Sequence, residues 1–189
     1  GQLSALGRDV LEFIDALQLQ RPALVGHDWG ARAAGNACAL RPGVASALVL
    51  MSVGYGTNLP SQDLSLEQAR HYWYHWYMAT PRGQRAVHEM REAFAQAMWD
   101  TWSPPGWYTP EEFAATAEAF ANGDWPRVTL HSYQHRWGHA EGDPHYADDE
   151  QWLSTVQPLD VPTLVLHGGA DGVNPPASSE GREGYFRSR

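Results

Sequence analysis

Apolar positions change texture twice along the 189-residue chain. Val10, Leu11, Ile14, Leu17 and Leu19 recur near helical spacing, which predicts a helix broken by Arg21-Pro22. Ala23-Leu24-Val25-Gly26 is a short apolar run that fits a buried parallel strand. Ala31 to Leu40, small and mostly apolar, predict a helix packed closely on that strand, stopped by Arg41-Pro42-Gly43. Ala47-Leu48-Val49-Leu50-Met51 predict a second buried strand. Strand, helix, strand with short joints is the pattern of a parallel sheet in an α/β fold.

From Leu59 to Pro158 the pattern turns helical and aromatic. Eight of the nine Trp fall between Trp73 and Trp152, and seven of the nine His between His71 and His145. Helices are predicted over 66–80, 82–101 and 110–121, separated by Ser103-Pro104-Pro105-Gly106 and Asn122-Gly123-Asp124. Tyr133 is expected after a helix, directly ahead of the return to the sheet. After Pro158 the first texture resumes, and Val161 to Gly168 predict a third buried strand running into a loop. The expected organisation is sheet core over 1–58 and 159–189, with a helical insertion over 59–158. So many rings in one lobe suit either plain core or the lining of an apolar cavity.

Composition narrows the chemistry. Thirteen cations against 22 carboxylates leave a net charge of −9, which disfavours a nucleic-acid partner. All 13 cations are Arg, and the absence of lysine excludes a P-loop, a Schiff-base enzyme and a pyridoxal-phosphate enzyme. No apolar run approaches the ~18 residues of a membrane span. The single cysteine, Cys38, rules out an intramolecular disulfide framework and suits a reducing compartment, with the cytoplasm expected.

Gly26-His27-Asp28-Trp29-Gly30 lies at a predicted strand-to-helix junction and has the glycine spacing of a nucleophile elbow, with Asp at its centre. On such a turn the central residue is strained and its neighbours two positions away must be small. The carboxylate would sit beside the positive end of the next helix, placed to attack carbon and form an ester. The alternative is a turn in which Asp28 only caps the helix.

These residues resemble the α/β-hydrolase superfamily, in the epoxide hydrolase and dehalogenase branch with an aspartate nucleophile. The elbow match runs from Gly26 to Arg32, and Ser52-Val53-Gly54-Tyr55-Gly56-Thr57-Asn58 is similar to the loop after the next strand in one bacterial subgroup. Tyr72-Trp73-Tyr74-His75-Trp76 and Ser132-Tyr133-Gln134-His135-Arg136 resemble segments of the cap lobe. His167-Gly168-Gly169-Ala170-Asp171-Gly172-Val173 resembles the loop that carries the triad acid. The resemblance implies an α/β-hydrolase fold with an inserted helical cap, and no cofactor or metal. It implies Asp28 as nucleophile and Asp171 as the acid that orients a histidine. Family order places that histidine after Asp171, in a Gly-His turn that this chain does not contain, so the expectation is an internal fragment of a longer hydrolase.

The same resemblance assigns Tyr133 and Tyr74 to hydrogen-bonding an epoxide oxygen, with Tyr72 and Tyr77 open as rivals of Tyr74. Trp29 would offer its backbone N–H to the oxyanion, and His27 joins it among the substrate-binding residues. His75-Trp76 resembles the halide cradle of haloacetate dehalogenases. Those enzymes hold the substrate carboxylate with two arginines, of which only Arg32 is present here. The reading is an epoxide hydrolase acting on a small apolar electrophile, with no nucleic-acid or membrane partner and a homodimer allowed. Dehalogenation, or a binding module without turnover, is the alternative. Separately, His131, His135 and His139 are spaced by four, which on one helix face could suggest a metal site. Gly138 interrupts that face, no His-Glu-x-x-His is present, and exposed cap histidines are the plainer account.

Overall fold

A computed structural model describes residues 1–57, 59 and 63–187. Asn58, the last residue of the loop motif above, lies outside them. Contacts divide the chain into a sheet unit (2–62, 142–169 and 174–189) and a helical unit (1, 63–141 and 170–173).

In the sheet unit, α1 (Leu3–Ala16) leads to β1 (Ala23–His27), α2 (Trp29–Leu40) and β2 (Ala47–Met51). The third strand, β3 (Thr163–Leu166), follows only after the helical stretch. The three strands are parallel in the order β1-β2-β3, with His27 opposite Met51 and Met51 opposite Leu166. The α2 side chains are small because the helix packs closely: Ala31, Ala33, Ala34, Ala37, Cys38 and Ala39 are all buried. Leu11 and Ile14 of α1 join Leu48, Leu50, Val53, Leu159 and Val161 in one aliphatic core. Two expected features differ. Only the central strand, β2, is at least half-buried at every position, whereas Val25 of β1 is 64% exposed and Leu164 and Leu166 of β3 are also open. By register Val25, Leu164 and Leu166 share one face of the sheet with Val49 and Met51, and among the described residues that face is only partly covered. Residues 142–158 group with the sheet unit: Arg8 on α1 makes a two-pronged ion pair with Asp149 on α9 (Ala147–Leu153), and Glu150 accepts from the Ser4 backbone.

The helical unit is more broken than the hydrophobic pattern predicts. The stretch 66–80 forms α3 (Leu66–His71) and α4 (Trp73–Met78), interrupted at Tyr72, whose buried ring stacks on His75. The stretch 82–101 forms α5 (Pro81–Glu89) and α6 (Arg91–Trp102), interrupted at Met90. Neither break carries Gly or Pro; at the buried Tyr72 tertiary packing overrides local preference, whereas nothing in the structure explains the break at the exposed Met90. α7 (Pro110–Ala117) starts at a full capping box between Thr109 and Glu112. α8 (Trp125–Arg136) contains Tyr133 instead of preceding it, and the sheet does not resume until Thr163. Gly138 ends this segment in a left-handed conformation (φ 74°) that a side chain would strain, so His139 falls off the helical face. Among the described residues no helix is long and apolar enough to cross a membrane.

Candidate active site

The elbow is formed by backbone. Asp28 has φ 49° and ψ −114°, a region that residues with a side chain rarely enter. Its N–H donates to the Met51 carbonyl (3.1 Å), which continues the β1–β2 pairing one residue past the strand. Its carbonyl accepts from the Arg32 N–H (3.2 Å), which starts α2. The reversal brings Gly30 over Gly26, where an added Cβ would stand 2.3 Å from the Gly30 carbonyl oxygen. Gly26 is therefore a steric requirement. Gly30 is not: a Cβ there meets nothing within 4 Å, which corrects the expectation that both glycines must be small. The Asp28 side chain makes no capping hydrogen bond to α2, so the plain capping role fails. The half-buried carboxylate stands at the start of a 12-residue helix, whose positive end favours its charge.

Neighbouring residues brace this turn. Arg32 donates through Nη1 to the Thr57 carbonyl (3.1 Å), and the Thr57 hydroxyl donates to the Gly54 carbonyl (2.7 Å). Arg32 thus ties α2 to the loop after β2. Trp29 is half-buried in the first turn of α2, and His27 is exposed at the end of β1. Cys38 offers no rival nucleophile, because burial pushes its thiol up to about 11.

The helical unit brings Tyr74, His75 and Tyr133 together, all three buried. The Tyr74 and Tyr133 rings meet edge-to-face at 5.5 Å, and His75 lies 4.3 Å from Tyr74 and 4.7 Å from Tyr133. Of the rivals for the Tyr74 role, Tyr77 lies elsewhere, against Phe94 (6.4 Å) and Trp73 (6.0 Å). Tyr72 stacks on the other side of His75 (4.4 Å). Trp76 donates its indole N–H to the Ala69 carbonyl at 2.9 Å and packs its ring against His75 (6.0 Å) and Trp137 (5.0 Å).

Two members of the cluster carry no sequence signal. Trp137 donates its indole N–H to His75 Nδ1 at 2.9 Å. Trp102 packs 5.3 Å from Tyr74, and its buried indole N–H has no acceptor among the described residues. Both sit at helix ends, where spacing alone says nothing about the inward direction.

The segment with Asp171 is fixed within the same unit. Asp171 Oδ1 accepts from the Val173 N–H (2.8 Å), Gly172 N–H donates to the Trp102 carbonyl (2.8 Å) and Gln68 donates to the Val173 carbonyl (2.8 Å). His71 Nδ1 bonds the Gly172 carbonyl. A carboxylate with one oxygen held by backbone is suited to orienting a base. His131 and His135 stack at 5.6 Å, and His131 Nε2 bonds the Glu141 carbonyl. Among the described residues, no three His, Cys, Asp or Glu side chains are grouped to hold a metal ion.

The profile of the alpha/beta hydrolase fold family matches residues 2–188. No curated protein matches the chain. Among solved structures, a candidate epoxide hydrolase from Klebsiella pneumoniae is 34% identical, with a TM-score of 0.92. The match covers 100% of this chain and 63% of that one, so the chain spans less than two thirds of its relative. An epoxide hydrolase from Bacillus megaterium, solved with its diol product, is 17% identical over 97% of this chain and 64% of its own, at a TM-score of 0.71. A haloalkane dehalogenase variant from Bradyrhizobium elkanii is 22% identical over 93% and 60%, at a TM-score of 0.68. The last two likenesses concern the fold alone.

Proposed function

The chain belongs to the α/β-hydrolase family, and within it we propose that the whole protein opens small apolar epoxides through an ester on Asp28. The observation that carries this reading is the strained elbow carboxylate, which no helix cap employs. One Asp28 oxygen attacks a ring carbon, the carbon–oxygen bond breaks, and the Tyr133 or Tyr74 hydroxyl gives its proton to the alkoxide. Water then adds to the ester carbonyl, the diol leaves, and the tyrosine regains a proton. Backbone N–H groups at the start of α2, Trp29 included, would hold the oxyanion of that second step. The water needs a base. The resemblance assigns that base to a histidine, which Asp171 would orient.

Hydrolytic dehalogenation would use the same ester with a halide leaving. Of the cradle residues that reading names, Trp76 donates its indole N–H to the Ala69 carbonyl. A single-turnover reaction in water labelled with heavy oxygen tests the ester directly. The label should enter the Asp28 carboxyl group and stay out of the first diol released. Label appearing in the first diol would mean direct attack by water and would end the proposal.

A further inference from the structure

We propose that Ser179 and His167 form a second nucleophilic pair, built wholly within the sheet unit, that cleaves small uncharged esters by acyl transfer to the serine hydroxyl. Its chemistry is independent of Asp28.

His167 follows β3, and Ser179 ends a single helical turn, Pro176–Ser179. His167 Nε2 and Ser179 Oγ are 2.6 Å apart, within the reach a general base needs to take a hydroxyl proton. The other side of the ring decides which nitrogen carries the imidazole proton. His167 Nδ1 lies 3.3 Å from the Asn174 carbonyl, which can only accept, so Nδ1 holds the proton. In the neutral ring Nε2 then presents a lone pair, and the Ser179 hydroxyl donates to it. This is the tautomer in which a histidine activates a serine.

Both side chains are half-buried, and Ser179 lines a cavity of about 260 Å³. Gly54 makes the room: a Cβ added there would collide with the Ser179 hydroxyl. Val165 and Phe186 give the cavity an apolar wall for a short acyl chain. Arg182 supplies the polar side. Its Nη1 donates to the Gly56 carbonyl at 2.9 Å, and its guanidinium lies 5.9 Å from the Tyr185 ring centre. Its buried Nε–H has no acceptor among the described residues. A guanidinium held in this way, with an N–H to spare beside a nucleophile, suits a developing oxyanion. Glu183 also lines the cavity, so opposite charges offset each other there and favour an uncharged substrate.

Ser179 Oγ adds to the ester carbonyl carbon as its proton passes to His167 Nε2, and the Arg182 Nε–H holds the oxyanion. The bond to the alcohol oxygen then breaks, and the alcohol leaves with the proton from Nε2. Water gives a proton to Nε2 and adds to the acyl-serine, the acid leaves, and Ser179 regains its proton. The Asn174 carbonyl keeps the ring in the productive tautomer but carries no full charge. Turnover should therefore be slower than with a carboxylate behind the ring.

A fluorophosphonate, which phosphonylates activated serines, reads the pair directly in the full protein. Peptide mapping by mass spectrometry should find the adduct on Ser179 and not on the adjacent Ser178. In His167→Asn, which keeps a donor for the Asn174 carbonyl and removes the base, labelling should slow at least ~10²-fold. His167→Gln is the second base-free variant, with circular dichroism deciding which of the two retains the fold. No adduct on Ser179 in the wild-type protein, or an undiminished rate in the folded His167 variant, overturns the pair. Hydrolysis of p-nitrophenyl acetate then separates the two nucleophiles. It should fall at least ~10-fold in Ser179→Ala and stay within about twofold in Asp28→Asn. Equal losses, or the reverse pattern, would place ester cleavage outside this pair and overturn the activity assigned to Ser179.

Discussion

Asp28 and Tyr133 are held in place by opposite means. In the sheet unit, the carboxylate is placed by the backbone of a few consecutive residues: a φ of 49°, one bond across to Met51, and a Gly26 with room for no side chain. In the helical unit, the phenols are placed ring against ring, by contacts between α4 and α8 that join residues far apart in the chain. A local turn is formed once one strand pair and one helix exist. The ring cluster exists only when several short helices have packed. The first arrangement therefore breaks at a single Cβ, and the second loses function in smaller steps as each ring or hydrogen bond is removed.

The largest effect should come from the carboxylate. Asp28→Asn in the full protein should lower turnover by at least ~10⁴-fold, the scale on which removal of one member of a catalytic unit is felt. Circular dichroism should show an unchanged fold, since the amide has the same shape. Near-wild-type activity without deamidation back to Asp would remove Asp28 from the mechanism. The next effect should come from the cluster. Tyr133→Phe should slow epoxide opening ~10²–10³-fold, the usual loss for one donor to developing negative charge. Tyr77→Phe is the control, because Tyr77 packs outside the cluster against Phe94, and its rate should stay within about twofold of wild type. Equal losses at Tyr133 and Tyr77 would mean that both rings serve only packing.

The difference between the units also decides what could be read in advance. The strand at 23–27, the helix at 29–40 and the strand at 47–51 follow from an apolar period and its Pro and Gly stops. Gly26 to Gly30 marked the elbow because its chemistry is compressed into five adjacent positions. In the helical unit, the breaks at Tyr72 and Met90 have no Gly or Pro to announce them. Tyr74 and Tyr133 were visible through motif likeness. Trp137, the partner of His75, is 62 residues away from it and lay outside every motif. The same reason explains Trp76: its place beside His75 in the chain says nothing of its indole N–H, which the Ala69 carbonyl accepts. Helical texture does not say which body a helix joins; the Arg8–Asp149 pair ties α9 to α1, and contacts group 142–158 with the sheet unit.

A pair of glycine substitutions sharpens the contrast within the elbow. Gly26→Ala would press a methyl group onto the Gly30 carbonyl, backbone that cannot rotate aside. A loss of about 3 kcal/mol is expected, the upper end of the usual cost of overpacking. Gly30→Ala enters open space in a helix and should raise stability by ~0.5 kcal/mol, by restricting the unfolded chain. Denaturant midpoints for the two variants should move in opposite directions. Equal shifts would show that the two glycines play the same part.

The smallest effect concerns the tie that places α9 in the sheet unit. Arg8 and Asp149 meet through two hydrogen bonds, with side-chain exposures of 42% and 15%. The hydrogen bond from Arg8 holds the Asp149 carboxyl below its ordinary value, against an opposing but smaller effect of burial. A carboxyl depressed in the folded state contributes stability that is present above its unfolded value, ~3.9, and lost as pH falls through the folded one. Solvent screening of Arg8 limits the pair to about 0.5–1 kcal/mol at neutral pH. Asp149→Asn should therefore cost about that much at pH 7 and progressively less as the pH is lowered below 4. The Glu150 bonds to Gln2 and Ser4 remain in that variant. Amide exchange should consequently quicken in α9 and the facing turn of α1, and leave the strands unchanged. A cost that persists undiminished at pH 2 would show that Asp149 acts through packing and not through its charge. Unchanged exchange in α9 would show that the helix joins the sheet unit by its apolar contacts alone.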